Sequence, residues 1–272
     1  MRHVLSIPRS VATARAWLTL AIIAALALAL LAALAYTVSA VLTSPGPKVS
    51  PKRAAVPPAV RAGTPSASPV QRQMDELAAR PMAEFPASAA RPHPLARTGG
   101  GAPISLPAAS STDGPVVTGF PHTPEGALAQ LAALDAVALR DLSPNQVRMV
   151  HDWAALPGAV ALTSWTPYVA ATAALAAAGA PEGSTDLTST FTPVAGVIKG
   201  TVGSDFVVAC VLGEWQVTYR ASSRSGAADC QRMVWTNQGW RIGPGAQPAY
   251  GPSVWPGSHE AARAGWRAFA DA

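Results

Sequence analysis

Hydrophobic positions fall into three regimes along this 272-residue chain. From Trp17 to Thr43 they form one continuous run (WLTLAIIAALALALLAALAYTVSAVLT) without a charged residue. That is long enough for a single transmembrane helix, because ~20 apolar residues span ~30 Å of hydrocarbon. From 44 to 114 the apolar positions lose any period, and 14 of the chain's 26 prolines fall between Pro45 and Pro115. Such a composition does not offset the entropy of ordering the backbone, so it reads as a Pro/Ala-rich disordered linker. Periodicity returns near residue 115 and leaves enough chain for one sizeable core.

Three helices in this distal part share a start signal, a hydroxyl residue followed by proline. Thr123-Pro124-Glu125 opens the first, and Ser143-Pro144 opens the second, which runs toward Trp153 and stops before Pro157. Thr166-Pro167 opens an alanine-rich third, closed by Gly179 and Pro181. After a loop at 181–190 the pattern becomes β-branched and aromatic. Strands are expected over 193–202, over 205–220 (continuous or kinked at Gly213), over 229–235, and at Trp240-Arg241-Ile242 after the turn Asn237-Gln238-Gly239. A Pro/Gly stretch, 243–257, precedes a terminal helix over 258–272, capped by Ser258, with Ala262, Trp266 and Phe269 on one face. Helices followed by antiparallel strands give an α+β domain over 115–257, its helices packed on one face of a curved sheet. Seven of the eight tryptophans lie in this distal part and read as core and rim residues.

Within the linker, Gln71–Arg80 alone has helix-forming composition, with Met74, Leu77 and Ala78 as a small apolar stripe. Isolated, such a helix is marginal. It reads as an incidental patch or as a segment that orders on a partner.

The net charge of +5 changes this picture less than its placement does. Lys48, Lys52, Arg53, Arg61, Arg72, Arg80, Arg91 and Arg97 all lie in the linker, and the distal domain is near neutral. No face interleaves basic and aromatic residues, so no nucleic-acid partner is expected. Basic residues on a tether beside a bilayer suit anionic lipid or cell-wall polymer. Arg2, Arg9 and Arg15 in the short basic tail, 1–16, orient the N-terminus to the cytoplasm and the domain outside the cell membrane. Val38-Ser39-Ala40 would serve as a signal-peptide cleavage site, but the apolar run exceeds a usual h-region and favours an uncleaved anchor.

Candidate chemistry is sparse. The histidines (His3, His93, His122, His151, His259) make no HExxH pattern, and CxxC, G-x-S-x-G and GxxxxGK[ST] are absent from the sequence, so no cofactor or metal is implied. His151-Asp152 reads as a solvated helix face. Cys210 and Cys230 stand open between a disulfide and two buried small hydrophobes. A hairpin turning near Arg224 would set Cys230 opposite Thr218, far from Cys210. Asp135 falls amid Leu128, Leu131, Leu139 and Leu142 on one helical face. A carboxylate there requires a hydrogen bond or partner, such as Arg232 or Arg241, or a local opening to solvent. The remaining reading is a general base in a pocket.

The layout resembles bitopic conjugal-transfer proteins, the inner-membrane assembly subunits of type IV secretion systems with a nuclear-transport-factor-2-like extracytoplasmic domain. Gly119-Phe120-Pro121-His122-Thr123-Pro124-Glu125-Gly126-Ala127, Asp229-Cys230-Gln231-Arg232-Met233-Val234-Trp235 and Gly239-Trp240-Arg241-Ile242-Gly243-Pro244-Gly245 look like actinobacterial proteins of that kind. The resemblance covers roughly 119–257. It implies a cone-like fold and a non-enzymatic assembly subunit that contacts other membrane or secretion-channel subunits and forms a homo-oligomer. The alternative is an extracytoplasmic module holding a lipid or small hydrophobic molecule in the cone.

Overall fold

The hydroxyl signals act as N-caps: Thr123, Ser143 and Ser258 accept the backbone N–H of Gly126, Gln146 and Ala261. A computed structural model describes residues 68–96, 100–112 and 114–270, all within one unit, Thr64–Ala272. The tail 1–16, the apolar segment 17–43 and residues 44–67 lie outside the described residues. Among the described residues, no helix is long and apolar enough to cross a membrane.

The helices are α1 (Pro69–Ala79), α2 (Pro124–Ala138), α3 (Pro144–Ala154), α4 (Thr166–Ala178) and the short α5 (His259–Arg263). The strands are β1 (Thr188–Val202), β2 (Phe206–Tyr219), β3 (Ala221–Thr236), β4 (Gly239–Ile242) and β5 (Arg267–Ala268). They form one antiparallel sheet in the order β4-β3-β2-β1-β5. The domain is therefore α+β.

Side chains alternate across the sheet. Val207, Ala209, Val211 and Met233 face α2, α3 and α4 and join Leu128, Leu131 and Val150 in the main cluster. Phe206, Val208, Cys210, Leu212 and Cys230 point the other way. Burial of both parities explains why 206–212 (FVVACVL) is an unbroken apolar run.

Much of that second face is covered by residues expected to be a disordered linker, and the expectation is corrected over 68–96 and 100–112. Leu77 and Ala78 of α1 pack on Phe206 and Val208, and Ala89, Met82 and Phe85 pack around Cys210, Leu212 and Cys230. Ile104 joins the main cluster and pairs with Phe269. These apolar residues are too sparse to build a core of their own, but they complete one begun elsewhere. Arg232, nearly buried, donates to Asp75 of α1 at 2.6 Å. Lys199 of β1 donates to the carbonyls of Ala78 and Arg80 at the C-terminus of α1, where a cation also meets the helix dipole. Lys199→Met is expected to cost about 1–2 kcal/mol and to speed tryptic cleavage after Arg80, a rate readable by timed proteolysis.

Three boundaries also shift. The β2–β3 hairpin turns at Arg220, whose φ is +59°, and not near Arg224. Polar residues 222–224 extend the hairpin as exposed strand where they read as loop. The long terminal helix is replaced by α5 and β5, because Gly265 takes φ +85° and releases the chain to pair with Ala195 and Gly196. Trp266 and Phe269 consequently enter different clusters.

Candidate functional site

Ten of the 15 residues of α2 are buried, so the helix lies at the centre of the helical layer. Asp135 is fully buried on it. Its neighbour is neither expected arginine. Arg232 faces the opposite side of the sheet toward Asp75, and Arg241 lies over the Trp153 ring at 4.1 Å. Its neighbour is a second acid, Asp229 of β3, which is 4% exposed.

Asp229 is the better served of the two. Gln231 Nε2 donates to both of its oxygens, at 2.9 and 2.8 Å, and the backbone N–H of Cys230 also points to it. Thr166, the first residue of α4, lies near enough to favour its charge, although Thr166 Oγ1 makes no hydrogen bond of ordinary length. Neither Asp135 oxygen meets a donor. Two carboxylates only accept, so the contact becomes a hydrogen bond when one holds a proton. Burial first, and the charge of Asp229 second, push the Asp135 carboxyl well above the ordinary acid range. Burial also raises Asp229, but the donors from Gln231, Thr166, Cys230 and Asp135 oppose that rise. Of the two acids, Asp135 is the one whose surroundings favour the protonated form more strongly. Asp229 escaped the sequence reading because an acid beside a cysteine in a short strand has no signal of its own. Its shared parity with Gln231 and Met233 is the clue that was available.

Cys210 and Cys230 are directly opposed on β2 and β3, Cα atoms 4.0 Å apart, and their sulfurs are bonded. The bond lies on the reverse of the sheet from the acid pair, fully buried, with half-buried Met82 Sδ 3.9–4.0 Å from its sulfurs. His151 is buried and not on a solvated face. One ring nitrogen meets the Val160 carbonyl at 2.9 Å, and Asp152 stays exposed. The residues that carry the resemblance pack against one another. Trp240 Nε1 donates to the Pro121 carbonyl at 2.9 Å, and the His122 ring stacks on Trp235 with centroids 4.3 Å apart.

Helix α4 is the unusual surface element. Its 13 residues (TPYVAATAALAAA) include no charge, yet only Pro167 and Ala171 are buried. A helix apolar all round is ordinarily enclosed. Here Val169, Ala173, Ala176 and Ala177 are exposed. Beside them runs an open cleft of about 290 Å³, floored by Trp215, Val217 and Tyr219 of β2. The cleft runs along the C-terminal half of this helix, beside Ala174, Ala177 and Ala178. Chemically, the pair can hold or release one proton, and the α4 face can bury apolar surface. No protein family, no curated protein and no solved structure matches this chain.

Proposed function

We propose that this chain is a membrane-anchored, non-enzymatic assembly subunit of a conjugation or secretion apparatus. Its cone-like extracytoplasmic domain acts by docking on other membrane or channel subunits. The observation that carries this reading is α4, an uncharged helix that leaves Val169, Ala173, Ala176 and Ala177 exposed, which is the pattern of a surface completed by a partner. The apolar segment 17–43 supports the membrane attachment, and attachment raises the concentration of the docking face near other membrane proteins. The Cys210–Cys230 bond suits an oxidising compartment.

The test is cross-linking of the full-length tagged chain in native membranes, followed by purification and mass spectrometry. Val169→Asp is expected to reduce recovery of the cross-linked partner at least about tenfold, since it places a charge in the apolar contact. Its exposed position leaves the fold intact, which retention of the disulfide and of trypsin resistance checks. Equal recovery with wild type and Val169→Asp would sink α4 as the docking face. A second reading, a module for a lipid or small hydrophobic molecule, is favoured by the cleft beside α4. It predicts a bound small molecule in the purified protein and no cross-linked subunit.

A further inference from the structure

A short strap of chain lies across the Cys210–Cys230 bond between two clamps. At its start the Ala249 N–H donates to the Ala78 carbonyl at 3.0 Å, and at its end the Trp255 N–H donates to the Ala89 carbonyl at 2.6 Å. From Pro81 to Phe85, no backbone hydrogen bond among the described residues ties the strap to the rest of the domain. It is seated by side chains, Met82 and Phe85, which pack on the reverse core. Met82 Sδ lies 3.9 Å from Cys210 Sγ and 4.0 Å from Cys230 Sγ, so one thioether touches both sulfurs of the bond. Backbone closes a further approach: a Cβ at Gly251 would stand 3.1 Å from Cys230 Sγ.

The same methionine meets solvent. Met82 is half-buried and, with Phe85, Tyr250, Gly251 and Pro252, lines an open cleft of about 360 Å³, whereas neither cysteine reaches it. We infer that Met82 is a site of oxidative modification: hydrogen peroxide converts its thioether to the sulfoxide, which unseats the strap and opens the disulfide to a dithiol. The sulfur lone pair attacks the O–O bond, one oxygen passes to sulfur, and the other leaves as water. Sulfur loses two electrons and the peroxide gains them. In the second step a thiolate of the dithiol attacks one cysteine sulfur, and its other thiol resolves the mixed disulfide. Two cysteine thiols and an oxidised dithiol result.

The opening is local. The cluster on which Met82 packs contains Ala89, Cys210, Leu212, Cys230 and Val254, and a polar oxygen without a donor is costly there. Rotation of the side chain into the cleft hydrates the oxygen and vacates the seat over the sulfurs. The clamps at Ala78 and Ala89 stay closed, because neither uses the Met82 side chain. Segments held by few buried contacts open at the least cost. Met149 supplies the contrast: it is 47% exposed on α3, in the helical layer, so its oxidation leaves the strap seated. Neither step involves α4, so the docking reading stands or falls separately.

The experiment treats the full-length protein in detergent micelles with hydrogen peroxide, removes the excess with catalase, and adds dithiothreitol. Thiols are captured with biotin-maleimide as they appear. Their initial rate of appearance is expected to rise at least about tenfold over untreated protein. The captured chains are expected to be richer in Met82 sulfoxide than the whole sample, as peptide fragmentation locates it. Met82→Leu, a swap of similar volume, is expected to abolish the rise, and Met149→Leu to keep it. Amides of the strap are expected to exchange faster after oxidation while α2 keeps its protection. An unchanged rate, a rise that survives Met82→Leu or vanishes in Met149→Leu, or captured chains no richer in Met82 sulfoxide would each overturn the inference. Loss of α2 protection would do the same, since the whole domain would then be opening. If Met82→Leu does not fold, the sulfoxide content of the captured wild-type chains still decides.

Discussion

Asp229→Asn is expected to destabilise the domain by about 3 kcal/mol or more, whereas Asp135→Asn leaves its stability at neutral pH unchanged or higher. The two substitutions are chemically identical and fall on two neighbouring buried acids, so the asymmetry is diagnostic. Gln231 and the Cys230 N–H both aim donors at Asp229, and an amide there would turn its own N–H against one of them. At 135 the geometry calls for a donor, which asparagine supplies at every pH. The pH dependence follows the same logic. Asp135 binds its proton more tightly in the folded domain than in the unfolded chain, where its pKa is near 3.8. Between the two values the folded state carries more protons, so stability is full below the unfolded value and falls as pH rises through the folded one. Asp229 is shifted in the same direction. Thermal unfolding of wild type across this range should show that decline, and Asp135→Asn should remove much of it. A wild-type stability that rises with pH would refute protonation of Asp135.

Replacing both cysteines by alanine is expected to cost about 3 kcal/mol in the oxidised protein. The bond closes a loop with a sequence separation of 20 and restricts the unfolded chain accordingly. The sulfurs are also an integral part of the reverse core, in contact with Met82 and with Gly251 passing close to Cys230. Because both cysteines are fully buried, reduction should be limited by opening of the covering segment. Dithiothreitol alone should leave wild type oxidised for long periods, with labelling of the thiols appearing only when denaturant is added. Prompt reduction of the folded protein would mean that Met82 and its neighbours do not cover the bond.

What the sequence disclosed was governed by how local each signal is. Thr123, Ser143, Ser258 and Gly179 mark helix ends through contacts within three or four residues, and all four do so in the fold. Thr166 looked like a further cap, but the capping position is Trp165, and the Thr166 hydroxyl makes no hydrogen bond. The cysteine register failed because a shift of the turn from Arg224 to Arg220 moves every opposed pair by eight residues, and Ser-rich exposed strand imitates loop. The cover provided by 68–96 and 100–112 was the least legible part, since α1 has almost nothing to bury until β2 offers its second face. A clue lay in 206–212, where both parities are apolar and a sheet covered on one side would show alternation. Asp135 stood out because it interrupts a row of leucines. Its partner lies 94 positions further on, beyond the reach of any pattern of spacing.

The route of the chain over the reverse face has a mechanical consequence. Any pull arriving from the N-terminal side enters at Ser68 and is met first by α1, not by the sheet. There Arg232–Asp75 and the grip of Lys199 on the end of α1 lie in series ahead of the hairpin crosslinked at Cys210–Cys230. Helix α1 would thus bear such a load ahead of the crosslinked hairpin, on the face of the sheet opposite α4.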